Sequence, residues 1–214
     1  PSLLNIGTSA LLANQQVLRI IGNNIANVNT QGYSRQEVRL EARQGVEYGA
    51  GYYGGGVDAV TVLRKHSEML TRQVALTGSV AAADEKRLDQ LKRLEDLFPG
   101  GENGLGAAMG DMLNAFSDVA NAPTDLTART VVLARADELA ARFRAVSANM
   151  DNLRSNLQQE LASEVRLINS LATRIADVNR EIRDAMGSGH TPNDLLDQRD
   201  EMIRELNTHV QTTT

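Results

Sequence analysis

Apolar residues recur at helical spacing over most of the chain, and the breaks between periodic stretches are sharp. Leu4, Leu11, Leu18 and Ile25 repeat every seventh position, flanked by Ile6, Ala10, Val17 and Ile21, so one apolar face runs along a first helix from Leu3 to Asn27. The pattern dissolves in Asn27-Val28-Asn29-Thr30-Gln31-Gly32, where Gly32 is expected to supply a left-handed stop. Residues 33–64 carry no helical period. Ser34, Gln36, Val38 and Leu40 alternate with Tyr33, Arg35, Glu37 and Arg39, and the run 56–62 also reads as extended, which predicts one or two short strands.

A second helix is expected over 65–98, with Met69, Val74, Leu88, Leu91, Leu94 and Phe98 on its stripe and a kink where the residues are small, Gly78 to Ala83. A shorter third helix holds Met109, Met112, Leu113, Phe116 and Val119. From Asp125 to Met186 there is neither Pro nor Gly, and at ~1.5 Å per residue such a helix extends on the order of 90 Å. Leu139, Phe143, Val146, Met150, Leu153 and Leu157 form one heptad-like stripe along it; Ile168, Leu171, Ile175, Val178, Ile182 and Ala185 form another. Leu157, Leu161 and Val165 between them step by four, a stutter that relaxes supercoiling. The fifth helix opens at Thr191-Pro192-Asn193-Asp194, with Thr191 as the expected N-cap, Pro192 in the first turn and Asp194 at capping-box spacing. Leu195, Leu196, Met202, Ile203 and Leu206 are its apolar positions, and the pattern looks cut off at Val210–Thr214.

Composition supports this helical reading. The chain has 214 residues, 42% hydrophobic, yet aromatics make up only 3%, with no Trp, which disfavours strand-rich architectures. The fold class expected is mainly α: an elongated long-helix bundle or coiled coil with an N-terminal helix and a small irregular, extended segment. The absence of Cys excludes disulfides and thiolate chemistry. A net charge of −5 gives no basic footprint for nucleic acid. No apolar run is long enough to span a membrane, and no signal peptide opens the chain; Pro1 fits loss of an initiator Met.

Candidate chemistry is thin. Gly49-Ala50-Gly51-Tyr52-Tyr53-Gly54 matches the dinucleotide fingerprint letter by letter, but a polar stretch precedes it and no helix follows, so amide groups would not converge on a pyrophosphate. His66, His190 and His209 lie far apart in sequence and outside any zinc spacing; His66, at a helix start, is expected to be solvated or capping. Asp194, Asp197, Asp200 and Glu201 form a carboxylate run interleaved with Arg199 and Arg204, which reads as a charged, solvated helix face. No cofactor and no catalytic group is expected. The first helix stands apart. Asn5, Asn14, Gln15, Gln16, Asn23 and Asn24 wrap its stripe, with Arg19 as the one charge, a composition suited to a crowded interface.

The stretch Gly22-Asn23-Asn24-Ile25-Ala26-Asn27-Val28-Asn29-Thr30-Gln31-Gly32-Tyr33-Ser34-Arg35-Gln36 resembles the N-terminal signature of bacterial flagellar axial proteins. Its continuation, Tyr33-Ser34-Arg35-Gln36, narrows the resemblance to the hook-associated protein 1 family of hook–filament junction proteins. The segment from Gly56-Val57 to Arg64 resembles that family's G-V-x-V-x-x-V-x-R stretch, loosely at Ala59 and Thr61. Asn193-Asp194-Leu195-Leu196-Asp197-Gln198-Arg199-Asp200, following Pro192, resembles a motif of its long-helix domain closely.

The resemblance implies a structural subunit without enzymatic activity, exported unfolded through the flagellar type III channel without a cleaved signal peptide and located outside the cell at the junction. It implies self-association in a ring or helical array, with the hook protein and the second junction protein as neighbours and no nucleic acid or membrane. Residues 1–64 would comprise an inner-tube helix plus extended linker, and 65–214 the long-helix domain. The variable outer domain and C-terminal helix of the family, with the usual export-chaperone site, would lie outside this chain. The expected assembly interface comprises Leu4, Leu11, Leu18 and Ile25 with Asn24, Asn27, Thr30, Gly32 and Tyr33. The first helix is expected to become ordered only beside neighbours. A hook or rod component would share the first signature but not the Leu195–Asp200 motif; a coiled-coil type III secreted binding module would explain Leu139–Ala185 but not Asn23–Gln36.

Overall fold

In the computed structural model, which describes residues 3–187 and 191–212, helices account for most of the chain. Their order is α1 (Leu3–Ala26), β1 (Gln36–Ala42), β2 (Val46–Tyr48), β3 (Gly51–Tyr53), β4 (Val57–Arg64), α2 (Glu68–Glu95), α3 (Leu105–Asn121), α4 (Leu126–Met186) and α5 (Asn193–His209). The protein is mainly α, as its periodicity and composition predict. His190 and the terminal Thr213-Thr214 lie outside the described residues.

Two compact units form: one from Pro1–Val80 and Ile168–Thr214, the other from Ala81–Leu167. The contacts therefore do not divide at residue 64. Residues 1–64 share a unit with the start of α2, the end of α4 and α5.

In the first unit, β1 and β4 pair antiparallel from Gln36↔Arg64 to Ala42↔Val57, with a bulge between Arg39 and Leu40. They enclose a second, smaller antiparallel pair, β2 with β3. The alternation in the sequence locates β1, but the one or two strands expected become four. The smaller pair escapes notice because each of its strands holds only three residues. Gly49, at φ +62, opens the two-residue turn between β2 and β3, a position that demands φ > 0. The nucleotide-like glycines thus build a hairpin.

α1 packs against β1 and β4 rather than standing apart from them. Its buried residues are Ser9 and Ala13, on a face that also includes the half-buried Ile6, Ala10, Val17, Ile20 and Asn24. Val57 N donates to Ser9 Oγ at 3.2 Å, and Gly56, at φ +101, brings its backbone against Ser9. After Ala26 the chain turns twice, with Thr30 N donating to Asn27 O and Tyr33 N to Thr30 O. Gly32 does adopt a left-handed φ of +80, but beyond the helix end. It is needed for close approach to α5, since a Cβ there would lie 2.9 Å from Glu201 Oε2.

The apolar core of this unit lies between the end of α4 and α5. Val178, Ile182 and Met202 are buried together, with Ile175, Leu195 and Leu196 packed on them. α5 starts one residue later than expected, at Asn193 after Pro192, without a side-chain cap. Thr191 is therefore not the N-cap. The side chains that could close a capping box are drawn into tertiary bonds, Asn193 to Val62 O and Asp194 to Gln36.

In the second unit, α3 and α4 run antiparallel. Arg142 Nη1 donates to Gly104 O at 2.9 Å, and Arg135 lies 3.9 Å from Asp111. The buried face is Ala108 and Ala115 with Val132 and Leu139; of the apolar residues expected on this helix, Met112 and Val119 are half-buried on the same side, while Met109, Leu113 and Phe116 are exposed. The end of α2 lies antiparallel beside α4, through Arg93 to Glu160 at 2.7 Å and Lys86 to Glu164 at 3.9 Å. α4 begins behind Asp125, whose Oδ1 accepts from Thr127 N at 2.8 Å as a cap. Gly78 to Ala83 remain helical within an unbroken α2.

Candidate assembly interface

α1 carries two stripes. The stripe around Ser9 and Ala13 faces the strands, which leaves the heptad stripe in solvent: Leu4, Leu11, Leu18 and Ile25 are 81%, 72%, 67% and 69% exposed. Leu3, Leu12, Ile21 and Val28 extend the same surface. Apolar side chains exposed to this extent are costly in water. At its C-terminal end Ile21, Ile25, Val28, Asn24, Tyr33 and Arg35 line a shallow groove of about 470 Å³.

The polar residues expected beside that stripe behave differently. Asn24 clamps β1 to the helix: its Nδ2 donates to Gln36 O at 2.8 Å, and Gln36 N donates to its Oδ1 at 2.9 Å. Tyr33 donates its hydroxyl proton to the same Oδ1 at 2.8 Å. Burial, then the nearby Asp194 and Asp197 carboxylates, push the Tyr33 phenol above its ordinary pKa. Asn27 donates to Asn23 O, and Thr30 donates to Asn27 Oδ1 at 3.1 Å. Asn24, Asn27, Thr30, Gly32 and Tyr33 thus shape the root of α1 from within the chain. The leucine stripe remains open.

That root docks on α5, some 160 residues away in sequence. Ser34 N donates to Asp197 Oδ2 at 2.8 Å, and Gln36 Nε2 donates to Asp194 Oδ1 at 3.0 Å. Arg64 Nη1 donates to Asp197 Oδ1 at 2.8 Å, each side chain 10% exposed. The same nitrogen lies 2.8 Å from Asp200 Oδ2 off the axis of an N–H, an ion pair without a hydrogen bond. Arg199 Nη2 donates to the other Asp200 oxygen at 2.8 Å, and Gln31 reaches Arg204. The two sequence motifs therefore fold into one polar junction.

This revises the reading of Asp194–Glu201 as a solvated face. Arg204 with Glu201 is an ordinary helix pair, whereas Asp197 and Asp200 point inward at Arg64. His66 follows them, its Nε2 3.6 Å from Asp200 Oδ2 and its side chain mostly buried. Gln198, on the opposite side, is exposed, while Leu195 and Leu196 serve the apolar core. Arg64 was visible in the sequence only as the end of a strand-like stretch. Its i, i+3 pair of carboxylate partners becomes apparent only once β4 meets α5.

The profile described as the flagellar hook-associated protein FlgK helical domain matches residues 91–214. The chain belongs to the FlgK family. The profile of the flagella basal body rod protein family matches residues 4–33, which are α1 and its exit turns. A relative named flagellar hook-associated protein 1 from Bacillus subtilis is 32% identical over 97% of this chain and 42% of its own length. Relatives of the same name from Salmonella typhimurium and Escherichia coli are 28% and 26% identical, each over 96% of this chain and 38% of its own length. The chain thus spans about two-fifths of the FlgK relatives it matches. Among the described residues, no helix is long and apolar enough to cross a membrane.

Proposed function

We propose that this chain is a structural subunit of the bacterial flagellum, placed outside the cell at the hook–filament junction and assembled by helix packing after type III export. Membership of the FlgK family supports the setting, and the rod-type match over residues 4–33 supports an axial role for α1. The observation that carries the reading is the open Leu4–Leu11–Leu18–Ile25 face on a helix whose other side is already occupied. An axial array repeats one heterologous contact from copy to copy, and a nearly uncharged apolar face can supply it. Self-association is the primary contact; the hook protein and the second junction protein are its neighbours along the axis. The export chaperone binds elsewhere in the longer protein.

The test separates folding from assembly. Leu11→Asp with Leu18→Asp should shift the stability of the isolated chain by no more than about 0.5 kcal/mol per site, as expected at exposed positions. Burial of each leucine would contribute about 1.5–3 kcal/mol. Introduced at the chromosomal locus, the same pair should stop filament growth while flagellin is still secreted. Intact motility would refute the assembly surface, and a loss of several kcal/mol in the melt would make the stripe part of an internal core.

A further inference from the structure

We propose that Arg64 is the positioning residue that fixes the direction of α1 on its unit, and with it the placement of the leucine face; the consequence for assembly rests on the function proposed above. α1 leans on β1 and β4, so its direction is set by how those strands sit on α5. Several bonds join strands to α5: Ser34 N to Asp197, Gln36 Nε2 to Asp194, Asn193 Nδ2 to Val62 O, and Arg64 to Asp197 and Asp200. A contact through one hydrogen bond leaves a pivot. Arg64 adds a charged anchor: one guanidinium nitrogen hydrogen-bonds Asp197 and pairs with Asp200 on the next turn of α5, and so resists sliding along the helix. Asp197 completes the device. Its Oδ1 holds β4 through Arg64 while its Oδ2 holds Ser34 N, at the exit of α1. Burial keeps the group beyond salt screening and makes its geometry directional.

Removing Arg64 alone would leave the buried Asp197 carboxylate without its cation and destabilise the unit for that reason. The informative variant is Arg64→Met with Asp197→Asn and Asp200→Asn, which removes all three charges while leaving acceptors for Ser34 N and Arg199. Because the chain has no Cys, Asn14→Cys in α1 and Gln198→Cys in α5 give a unique pair of spin-label sites, both exposed. Pulsed electron paramagnetic resonance on the parent should give one narrow distance distribution. The triple variant should keep a cooperative melt and helical circular dichroism yet lose that narrow distribution. Arg64→Gln with Asp197→Asn, which removes the buried ion pair and leaves Asp200 to Arg199, should also broaden it and serves where the triple variant does not fold. An unchanged narrow distribution in either folded variant overturns the proposal, because Arg64 would then contribute stability alone. In flagellated cells a broadened variant should lose motility. Broadening with full motility would leave Arg64's positioning role standing and refute the assembly reading of α1.

Discussion

The Tyr33 hydroxyl donates to Asn24 Oδ1 at 2.8 Å, and its ionisation would cost that bond and set a phenolate among buried surroundings and the Asp194 and Asp197 carboxylates. Its pKa is raised in the folded chain, so the native state binds this proton more tightly than the unfolded state. The stabilisation is therefore complete below the ordinary phenol value of about 10 and disappears as pH rises through the folded value. Phenolate absorbance should show one tyrosine titrating late. In Tyr33→Phe that late step should vanish, along with part of the alkaline loss of stability; a late step that persists assigns it to another tyrosine. Gly56 makes a similar point through sterics. A Cβ there would overlap Ser9 Oγ, and φ is +101, so Gly56→Ala should destabilise by about 1–3 kcal/mol in a denaturant melt, the cost of a strained backbone position. A wild-type midpoint would show that α1 does not press on this turn. Both residues stand in recognisable stretches of sequence, but their partners lie 9 and 47 positions away. Nothing local specifies those distances.

Along α4 the apolar stripe predicts a long helix, and the helix is there, but the stripe does not tell which leucines are covered. Leu171 is 1% exposed within the first unit, whereas Leu161, at the stutter in the second, is 66% exposed. Stepping by four rotates Leu161 and Val165 off the covered seam. Leu171→Ala should cost about 2–5 kcal/mol through lost burial and a cavity. Leu161→Ala should stay within about 0.5 kcal/mol. Equal costs in parallel denaturant melts would overturn this account of the seam. α3 shows the same gap between pattern and packing. Of its expected apolar residues Met112 and Val119 lie on the covered side with Ala108 and Ala115, whereas Met109, Leu113 and Phe116 stay exposed. Period reveals the helix; only the neighbour selects the face. Strands β2 and β3 escape a reading by period because three-residue strands hold too few alternations to register.

At the scale of the whole molecule, the first unit is built from chain segments that meet only after most of the sequence has intervened. A chain ending at Gly187 would lack Asp194, Asp197 and Met202. In it, hydrogen exchange should accelerate at Ser34, whose amide loses its acceptor, and at the end of α4, where Val178 and Ile182 lose their cover. Amides around Ala108, Ala115 and Leu139 should keep their protection, since their core lies wholly within the second unit. Uniform acceleration would show that the units do not stabilise separately. The mainly helical fold, the helix breaks and the family resemblance were all legible in sequence, because period, proline and glycine act through local sterics and backbone hydrogen bonding over a few residues. The fate of the polar motifs was not legible. A carboxylate run at helical spacing is the same string whether it faces water or a guanidinium, and burial of Asp197 and Asp200 depends on Arg64 arriving from a distant strand. The same holds for α1, where both stripes are helical in period. Tertiary packing alone decided that the Ser9 and Ala13 face meets the strands and the leucines stay outside, because only the strands' shape could choose between them.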